Sequence, residues 1–154
     1  VAAPPQYLLN LGYSTEQLDC AGIKLTLCEV LVPQGTATID LDSKVLPKYV
    51  ALEPDEYGFY NLSPGAYVVR YCEYVRVPED YLALALPRST LIRSCTTLYT
   101  AVWDPGYEGR GYGLLSVFCN GIRIRRGAQV AQLVYVRMLE RSAKTYRGTY
   151  LGER

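Results

Sequence analysis

An all-β fold, arranged as a sandwich, jelly roll or distorted barrel, is what the 154-residue sequence predicts. Three observations point to it. The composition favours strands and turns, with 15 Tyr, 13 Gly and 9 Pro beside abundant Val, Leu and Thr. Several runs alternate apolar and polar residues with the period of a strand. Turn-forming pairs recur at intervals of roughly ten residues, the rhythm of an antiparallel sheet.

Taken in order, Ser14-Thr-Glu-Gln-Leu18 predicts a single helical turn, and Gly22–Leu31 alternates as a first long strand. Pro33-Gln-Gly35 turns the chain into a short strand over Thr36–Leu41. Ser63-Pro-Gly65 opens a long strand over Ala66–Val77, and Val77-Pro-Glu-Asp80 separates it from Tyr81–Leu86. Ser89–Ser94 reads as a second helical turn with Ser89 as its N-cap. Strands then follow at Thr96–Trp103, Gly113–Cys119, Ile122–Arg125 and Gln129–Met138, divided by Asp104-Pro-Gly106, Asn120-Gly121 and Arg126-Gly127. Residues 141–154 lack an apolar period and read as an extended C-terminal arm. No repeat, linker or low-complexity tract divides the chain, so residues 1–154 read as one domain.

Charge and residue types exclude several functions. With 16 Lys+Arg against 15 Asp+Glu, a net charge of +1 argues against nucleic-acid binding by bulk phosphate neutralisation, although a local arginine cluster can hold a small anion. The chain has no His, so it cannot form a Ser-His-Asp triad, a Cys-His pair or a His-ligated zinc site. Catalytic protons must move through Asp, Glu, Tyr, Lys, Cys or water. Cys20, Cys28, Cys72, Cys95 and Cys119 show no Cys-x-x-Cys spacing, and they read as buried thiols with a structural disulfide as the alternative. No apolar run approaches ~18 residues, and Val-Ala-Ala-Pro-Pro is not a signal core, which together predict a cytoplasmic protein without membrane contact. The absent initiator Met suggests a fragment or a processed start, and the Arg- and Tyr-rich, Gln-poor composition fits a hot-growing source.

Four segments carry candidate chemistry. In Pro87-Arg-Ser-Thr-Leu-Ile-Arg93 a strand passes into a helical turn, so Ser89, Thr90 and the guanidinium forks of Arg88 and Arg93 can form a phosphate cradle. In Trp103-Asp-Pro-Gly-Tyr-Glu-Gly109 a tight bend can hold Asp104 and Tyr107 on one side, a carboxylate to orient water beside an aromatic plate. In Arg125-Arg-Gly-Ala-Gln-Val-Ala-Gln-Leu-Val134, the Gln132 amide lies between apolar neighbours and needs hydrogen bonds if buried. In Tyr146-Arg-Gly-Thr-Tyr-Leu-Gly152, glycines and Arg147 suit a tail that closes over a ligand. Each has an ordinary structural explanation when taken singly.

Their order is more specific. Pro64-Gly-Ala-Tyr67, Val77-Pro-Glu-Asp80, Pro87-Arg-Ser-Thr90, Asp104-Pro-Gly-Tyr107 with Gly109, Arg126-Gly127 with Ala131-Gln-Leu133, and Tyr146-x-Gly-x-Tyr150-x-Gly152 together resemble the dUTPase and dCTP deaminase superfamily, most of all its archaeal members. The resemblance spans about residues 62–153 and, more loosely, Gln17–Leu27. It implies a distorted β-barrel or jelly roll that forms a homotrimer with active sites shared between subunits. It also implies that Arg88, Ser89, Thr90 and Gln132 hold phosphate oxygens, beside which Arg93 stays a candidate from its place flanking the turn, and that Asp104 orients the attacking water. Tyr107 would pack on the deoxyribose, Gly109 would lie on the hairpin edge that meets the pyrimidine, and Tyr146 and Tyr150 would close with the arm over the triphosphate. Mg²⁺ would be held mainly by the nucleotide phosphates, with no protein metal cluster.

Two reactions run in this superfamily. Deamination of dCTP implies a Glu on the strand after the Asp-Pro-Gly turn, yet Gly109 to Met138 contains no Asp or Glu, and the corresponding positions are Leu114 or Val117. Hydrolysis of dUTP to dUMP and pyrophosphate is therefore the leading expectation. The alternatives are a dCTP deaminase, alone or bifunctional, and a non-catalytic dUTPase-like nucleotide-binding protein. Three departures bear on the choice: Lys24 stands where the family commonly has Asp, with Asp19 as a possible substitute; Thr149 and Glu153 stand where deaminase-like members often have Lys and Gln; and Gly109–Gly113 is lengthened.

Overall fold

The computed structural model describes residues 1–154. The chain opens with a 3-10 helix over Pro5–Leu11 that seats Leu8 in the core and ends at Gly12. A second, Thr15–Gln17, occupies the helical turn expected near Ser14, whose backbone N–H donates to Gln17 Oε1 at 2.8 Å. The strands are β1 (Leu18–Asp19), the long β2 (Gly22–Gln34), β3 (Thr38–Ile39), β4 (Lys44–Val45), β5 (Lys48–Ala51), β6 (Phe59–Leu62), β7 (Gly65–Tyr71) and β8 (Val75–Arg76). Next come β9 (Tyr81–Pro87), the single helix α1 (Ser89–Arg93), β10 (Thr96–Tyr99), β11 (Val102–Trp103), β12 (Glu108–Gly109), β13 (Tyr112–Val117), β14 (Ile122–Arg125) and β15 (Gln129–Arg137).

One sheet dominates, in the order β10-β13-β7-β2-β15-β9-β11, with β1 and β5 added onto β2. Every pairing between these strands is antiparallel. Two-stranded ribbons, β12 with β8, β14 with β6 and β3 with β4, sit beside it. β2 serves both halves of the large sheet: its start pairs with β15, and Leu27 to Leu31 pairs with β7. Between Leu27 and Glu29 the register slips, which makes Cys28 the surplus residue of a bulge. The bulge changes which side chains face inward. Ile23, Leu25 and Leu27 join the core before it and Val30 joins it after, whereas Leu31, though buried, lies outside that core, so the core-facing set passes from odd positions to even.

The resulting bend curls the sheet into a half-barrel around Leu25, Leu27, Val69, Tyr71, Leu115, Leu133 and Tyr135. The expected all-β class is therefore present, as a curled sheet with open edges at β10 and β11. Buried tyrosine hydroxyls are satisfied in sequence. Tyr135 donates to the Arg76 carbonyl at 2.9 Å, which leaves Tyr13 to donate to Tyr135 at 2.8 Å and to accept from the Arg76 N–H at 3.0 Å.

Several boundaries differ from the sequence expectation. Thr36–Leu41 shrinks to Thr38–Ile39 because that hairpin is exposed and has no core to pack against. Ala66–Val77 breaks after Tyr71, where the Cys72 N–H turns to the Thr26 carbonyl, and resumes as β8. Thr96–Trp103 divides because Thr96–Tyr99 pairs with β13 whereas Val102–Trp103 pairs with β9. β5, β6 and the Pro5–Leu11 helix have no clear periodicity in sequence and emerge only from their pairing or packing. Ser89 is the first helical residue and Arg88 the N-cap, because the Arg88 N–H is still engaged by the Val130 carbonyl at 3.0 Å as the strand ends. The reading of all five cysteines as thiols is also corrected: Cys95 and Cys119 form a disulfide, and Cys20, Cys28 and Cys72 are free. The disulfide ties the end of α1 to the end of β13. No helix is long and apolar enough to cross a membrane.

Candidate active site

The Asp104–Gly109 segment leaves the large sheet at β11 and bends sharply. Pro105 fixes φ, and Gly106 takes φ +83°, the left-handed conformation that the third position of this turn requires. The Tyr107 N–H closes the turn onto the Asp104 carbonyl at 3.0 Å, while Val77 accepts from Gly106 and donates to the Tyr107 carbonyl. Thus anchored, the bend leaves Asp104 exposed and Tyr107 buried, and both line one cleft of about 690 Å³.

Aromatic rings form the cleft floor and one wall. Trp103 meets Tyr71 at 6.1 Å and Tyr107 edge-on at 5.3 Å between centroids, and Tyr107 meets Tyr146 at 5.5 Å. Gly111 is needed for this packing, since a Cβ there would lie 2.2 Å from the Trp103 ring. Burial pushes the Tyr107 hydroxyl well above its ordinary range, with Glu153 adding to the effect, so the ring is neutral at physiological pH.

The arm crosses the same cleft. The Tyr146 N–H donates to the Pro105 carbonyl at 2.8 Å, and farther along Gly152 donates to Glu108 at 2.8 Å while Arg110 donates to Glu153 at 2.9 Å. Gly109 and Glu153 thereby form a parallel bridge along the hairpin edge. Arg70 fixes the chain end, giving one Nη to the Arg154 carbonyl at 3.1 Å and the other to Glu29 at 2.7 Å. Tyr146, Tyr150 and Glu153 line the cleft with Asp104, whereas Arg147 is exposed. Burial raises the Glu153 carboxyl above its ordinary range, with Arg70 acting in the opposite direction.

The second group of candidate residues lies elsewhere in the chain. Arg88, Ser89, Thr90 and Arg93 are exposed where β9 passes into α1. Arg88 Nη1 donates to Gln129 Oε1, and Gln129 Nε2 donates to Asp19 Oδ2, so a guanidinium, an amide and a carboxylate form one line. Asp19, whose role the sequence leaves open, is thus wired to Arg88. Its carboxyl is held below the ordinary range by the Gln129 amide first and the Cys20 N–H second. Gln132 stands opposite Lys24 across the β15–β2 pairing, and its Nε2 is buried without a hydrogen-bond partner. Lys24 Nζ donates to the Glu16 carbonyl at 2.8 Å.

The two groups do not meet within one chain. Asp104 follows Trp103, which pairs with Ala83, whereas Arg88 follows Pro87 at the other end of β9. At ~3.3 Å per residue, that strand puts about 15–20 Å between them. None of Arg88, Ser89, Thr90, Arg93 and Gln132 lines the Asp104 cleft. Sequence reasoning missed Gln129, which sits at the register slip of β15, and Lys44, which reaches the cleft from a remote hairpin. Gln129 follows the Arg126-Gly127 turn into a strand, and that position was the available signal.

No group of three or more His, Cys, Asp or Glu side chains gathers to hold a metal by itself. The cleft offers Asp104 and Glu153 as oxygen donors. That donor set fits Mg²⁺, which keeps several waters and takes ligands from one or two carboxylates and from substrate phosphates.

Residues 10–138 match the dCTP deaminase-like family. The chain belongs to that family. Among similar proteins, one from Methanosarcina barkeri, named probable deoxyuridine 5'-triphosphate nucleotidohydrolase, is 38% identical over 99% of this chain and 91% of its own. Another with that name, from Aeropyrum pernix, is 36% identical over 92% of this chain and 89% of its own. A deoxyuridine 5'-triphosphate nucleotidohydrolase from Methanocaldococcus jannaschii is 38% identical over 89% of this chain and 88% of its own. The dCTP deaminase-like fold is shared with a solved 2'-deoxycytidine 5'-triphosphate deaminase from Agrobacterium tumefaciens at a TM-score of 0.71 and 22% identity. That match takes in 91% of this chain and 49% of the deaminase, so the chain spans about half of that protein's length.

Proposed function

We propose that this protein is a dUTP diphosphatase, converting dUTP and water to dUMP and pyrophosphate with Mg²⁺. The observation that carries the reading is the pairing of Asp104 with Tyr107 in one aromatic cleft crossed by the C-terminal arm. The archaeal relatives with the nucleotidohydrolase name support it. In this mechanism the Asp104 carboxylate accepts a proton from a water and aims its oxygen at the α-phosphorus, and the bond from that phosphorus to the bridging oxygen of pyrophosphate breaks. Tyr107 packs against the deoxyribose, Gly109 meets the base at the hairpin edge, and Tyr146 and Tyr150 close over the phosphates. Mg²⁺, held mainly by the nucleotide phosphates with Asp104 and Glu153 as the cleft's oxygen donors, would supply charge neutralisation on those phosphates. Arg88, Ser89, Thr90, Arg93 and Gln132 bind phosphate oxygens.

The last five residues belong, in this reading, to a neighbouring copy in a homotrimer. The span along β9 supports that division, because a phosphate cradle must lie within a few ångströms of the reacting phosphorus. A strip of exposed apolar side chains supports it too: Leu84 and Leu86 on β9, Val102 opposite Leu84 on β11, and Ile92 on α1. The deciding experiment is incubation with each dNTP and Mg²⁺, scoring pyrophosphate and ammonia separately. Pyrophosphate from dUTP alone is the expected result. Ammonia from dCTP would favour the deaminase reading, and tight dUTP binding without pyrophosphate would favour a non-catalytic binder. Sedimentation of the free protein as a stable monomer would sink the shared site.

A further inference from the structure

Lys44 lies outside every segment that sequence reasoning singled out. It sits on β4 of the exposed β3–β4 hairpin, paired with Ile39, and the hairpin is closed by the Asp40 N–H on the Ser43 carbonyl at 2.8 Å. Of the residues lining the Asp104 cleft, Lys44 is the only Lys or Arg, facing two acids, Asp104 and Glu153. Its ammonium lies 4.4 Å from the centroid of the Tyr150 ring on the arm. It takes part in none of the four ion pairs, and no hydrogen bond engages it. The cleft thus holds one cation, supported by an aromatic face and free of a carboxylate partner.

A triphosphate brings several negative charges into a cleft whose own ionisable groups, apart from tyrosines, are two carboxylates and this ammonium. Beyond the charge that Mg²⁺ offsets, a protein cation on the cleft side reduces the repulsion between the phosphate chain and the Asp104 and Glu153 carboxylates. An ammonium on a flexible stem has three donors to turn toward phosphate oxygens, and the Tyr150 ring supports it without pairing it to an acid. We propose that Lys44 is a substrate-binding residue that contacts the phosphate chain of the nucleoside triphosphate beyond the α-phosphate, and that it closes with Tyr150 as the arm settles. The proposal rests on the dUTP reading above.

Phosphate number separates this role from simple support of the arm. Calorimetry on the 154-residue chain, with α,β-imido-dUTP and dUMP as ligands in Mg²⁺ buffer, would compare wild type, Lys44→Met and Lys44→Arg. Loss of one charge-assisted contact should weaken the imido nucleotide by about tenfold or more in Lys44→Met, while dUMP changes by less than about twofold. Lys44→Arg should recover most of the loss. Equal weakening of both ligands would mean that Lys44 only supports the arm, and unchanged binding of both would mean that it contributes nothing; either overturns the proposal. Because the hairpin is exposed, matching melting temperatures should verify that the variants fold. Wild-type protein that neither binds the imido nucleotide nor hydrolyses dUTP would sink the functional reading itself, a result distinct from a silent Lys44 in an active enzyme.

Discussion

The two ends of β9 are held by different physics. At one end, Arg88, Gln129 and Asp19 form a line of polar side chains fixed to strand ends, with no aromatic ring involved. At the other, the Asp104 cleft is shaped by Trp103, Tyr107 and Tyr146 and by backbone bonds from an arm that has no regular structure of its own. The first arrangement suits binding an anion in a preset geometry. The second suits a site that opens, because the arm is joined to the body by a handful of main-chain bonds and ring contacts. The contrast extends to their acids: Asp19 is held below its ordinary range by hydrogen bonds, and Glu153 is pushed above its own by burial.

The sharpest test is to disable the chemistry on the cleft side alone. Asp104→Asn should lower pyrophosphate release by about 10³-fold, within the range for loss of a general base, while equilibrium binding of α,β-imido-dUTP stays near wild type. An undiminished rate would remove Asp104 from the mechanism. The cradle side is braced by the Cys95–Cys119 disulfide, which follows α1 and spans 24 residues of sequence. A Cys95→Ala/Cys119→Ala double variant should lose roughly 3 kcal/mol in denaturant unfolding. Its effect on triphosphate affinity should exceed its effect on dUMP affinity, since the bond lies beside Arg88–Arg93 and far from Tyr107.

Gly111→Ala probes the aromatic wall. With a Cβ 2.2 Å from the Trp103 ring, it should cost about 1–3 kcal/mol and shift near-ultraviolet circular dichroism from the single Trp. The smallest expected effect concerns pH, where the two acids should respond oppositely. Asp19 has a folded value below 3.8, so its stabilisation is present above that pH and is lost as pH falls through the lower value. Glu153 has a folded value above 4.5, so its contribution to arm docking is present below 4.5 and is lost as pH rises through the folded value. Protection factors of the Arg110 and Gly152 amides, which divide out the intrinsic rise of exchange with pH, should therefore fall from mildly acid to neutral pH in wild type, and much less in Glu153→Gln. Equal protection factors at both pH values in wild type would separate Glu153 from docking.

What could be read from sequence was whatever depends on local pattern. The alternation of β2, β7 and β15 marks strands because burial on one face follows from period two. The Pro105-Gly106 bend was legible because only a few dihedrals satisfy that pair. Ser89 was placed one position too early in the helix because nothing local reveals that Arg88 still bonds to Val130. The disulfide, the Arg88–Gln129–Asp19 line and Lys44 at the cleft join residues far apart in the chain. Only the sheet order brings those partners together. Gln132 was singled out for its apolar neighbours, whereas Gln129, at a register slip, carries no such signature.

The surplus residue of β2 also sets what kinds of genetic change the protein can absorb. Exchanging Cys28 for another side chain leaves the strand's phase intact, because the backbone offset and not the thiol moves the inward set from Leu27 to Val30. Removing its codon would instead leave Leu27, Glu29 and Val30 in plain alternation, which keeps the inward set but straightens the strand at the point where the sheet bends. Lineages carrying this gene should thus vary freely in letter at position 28 and hardly at all in length there, while the exposed stretch from 36 to 47 gains and loses residues.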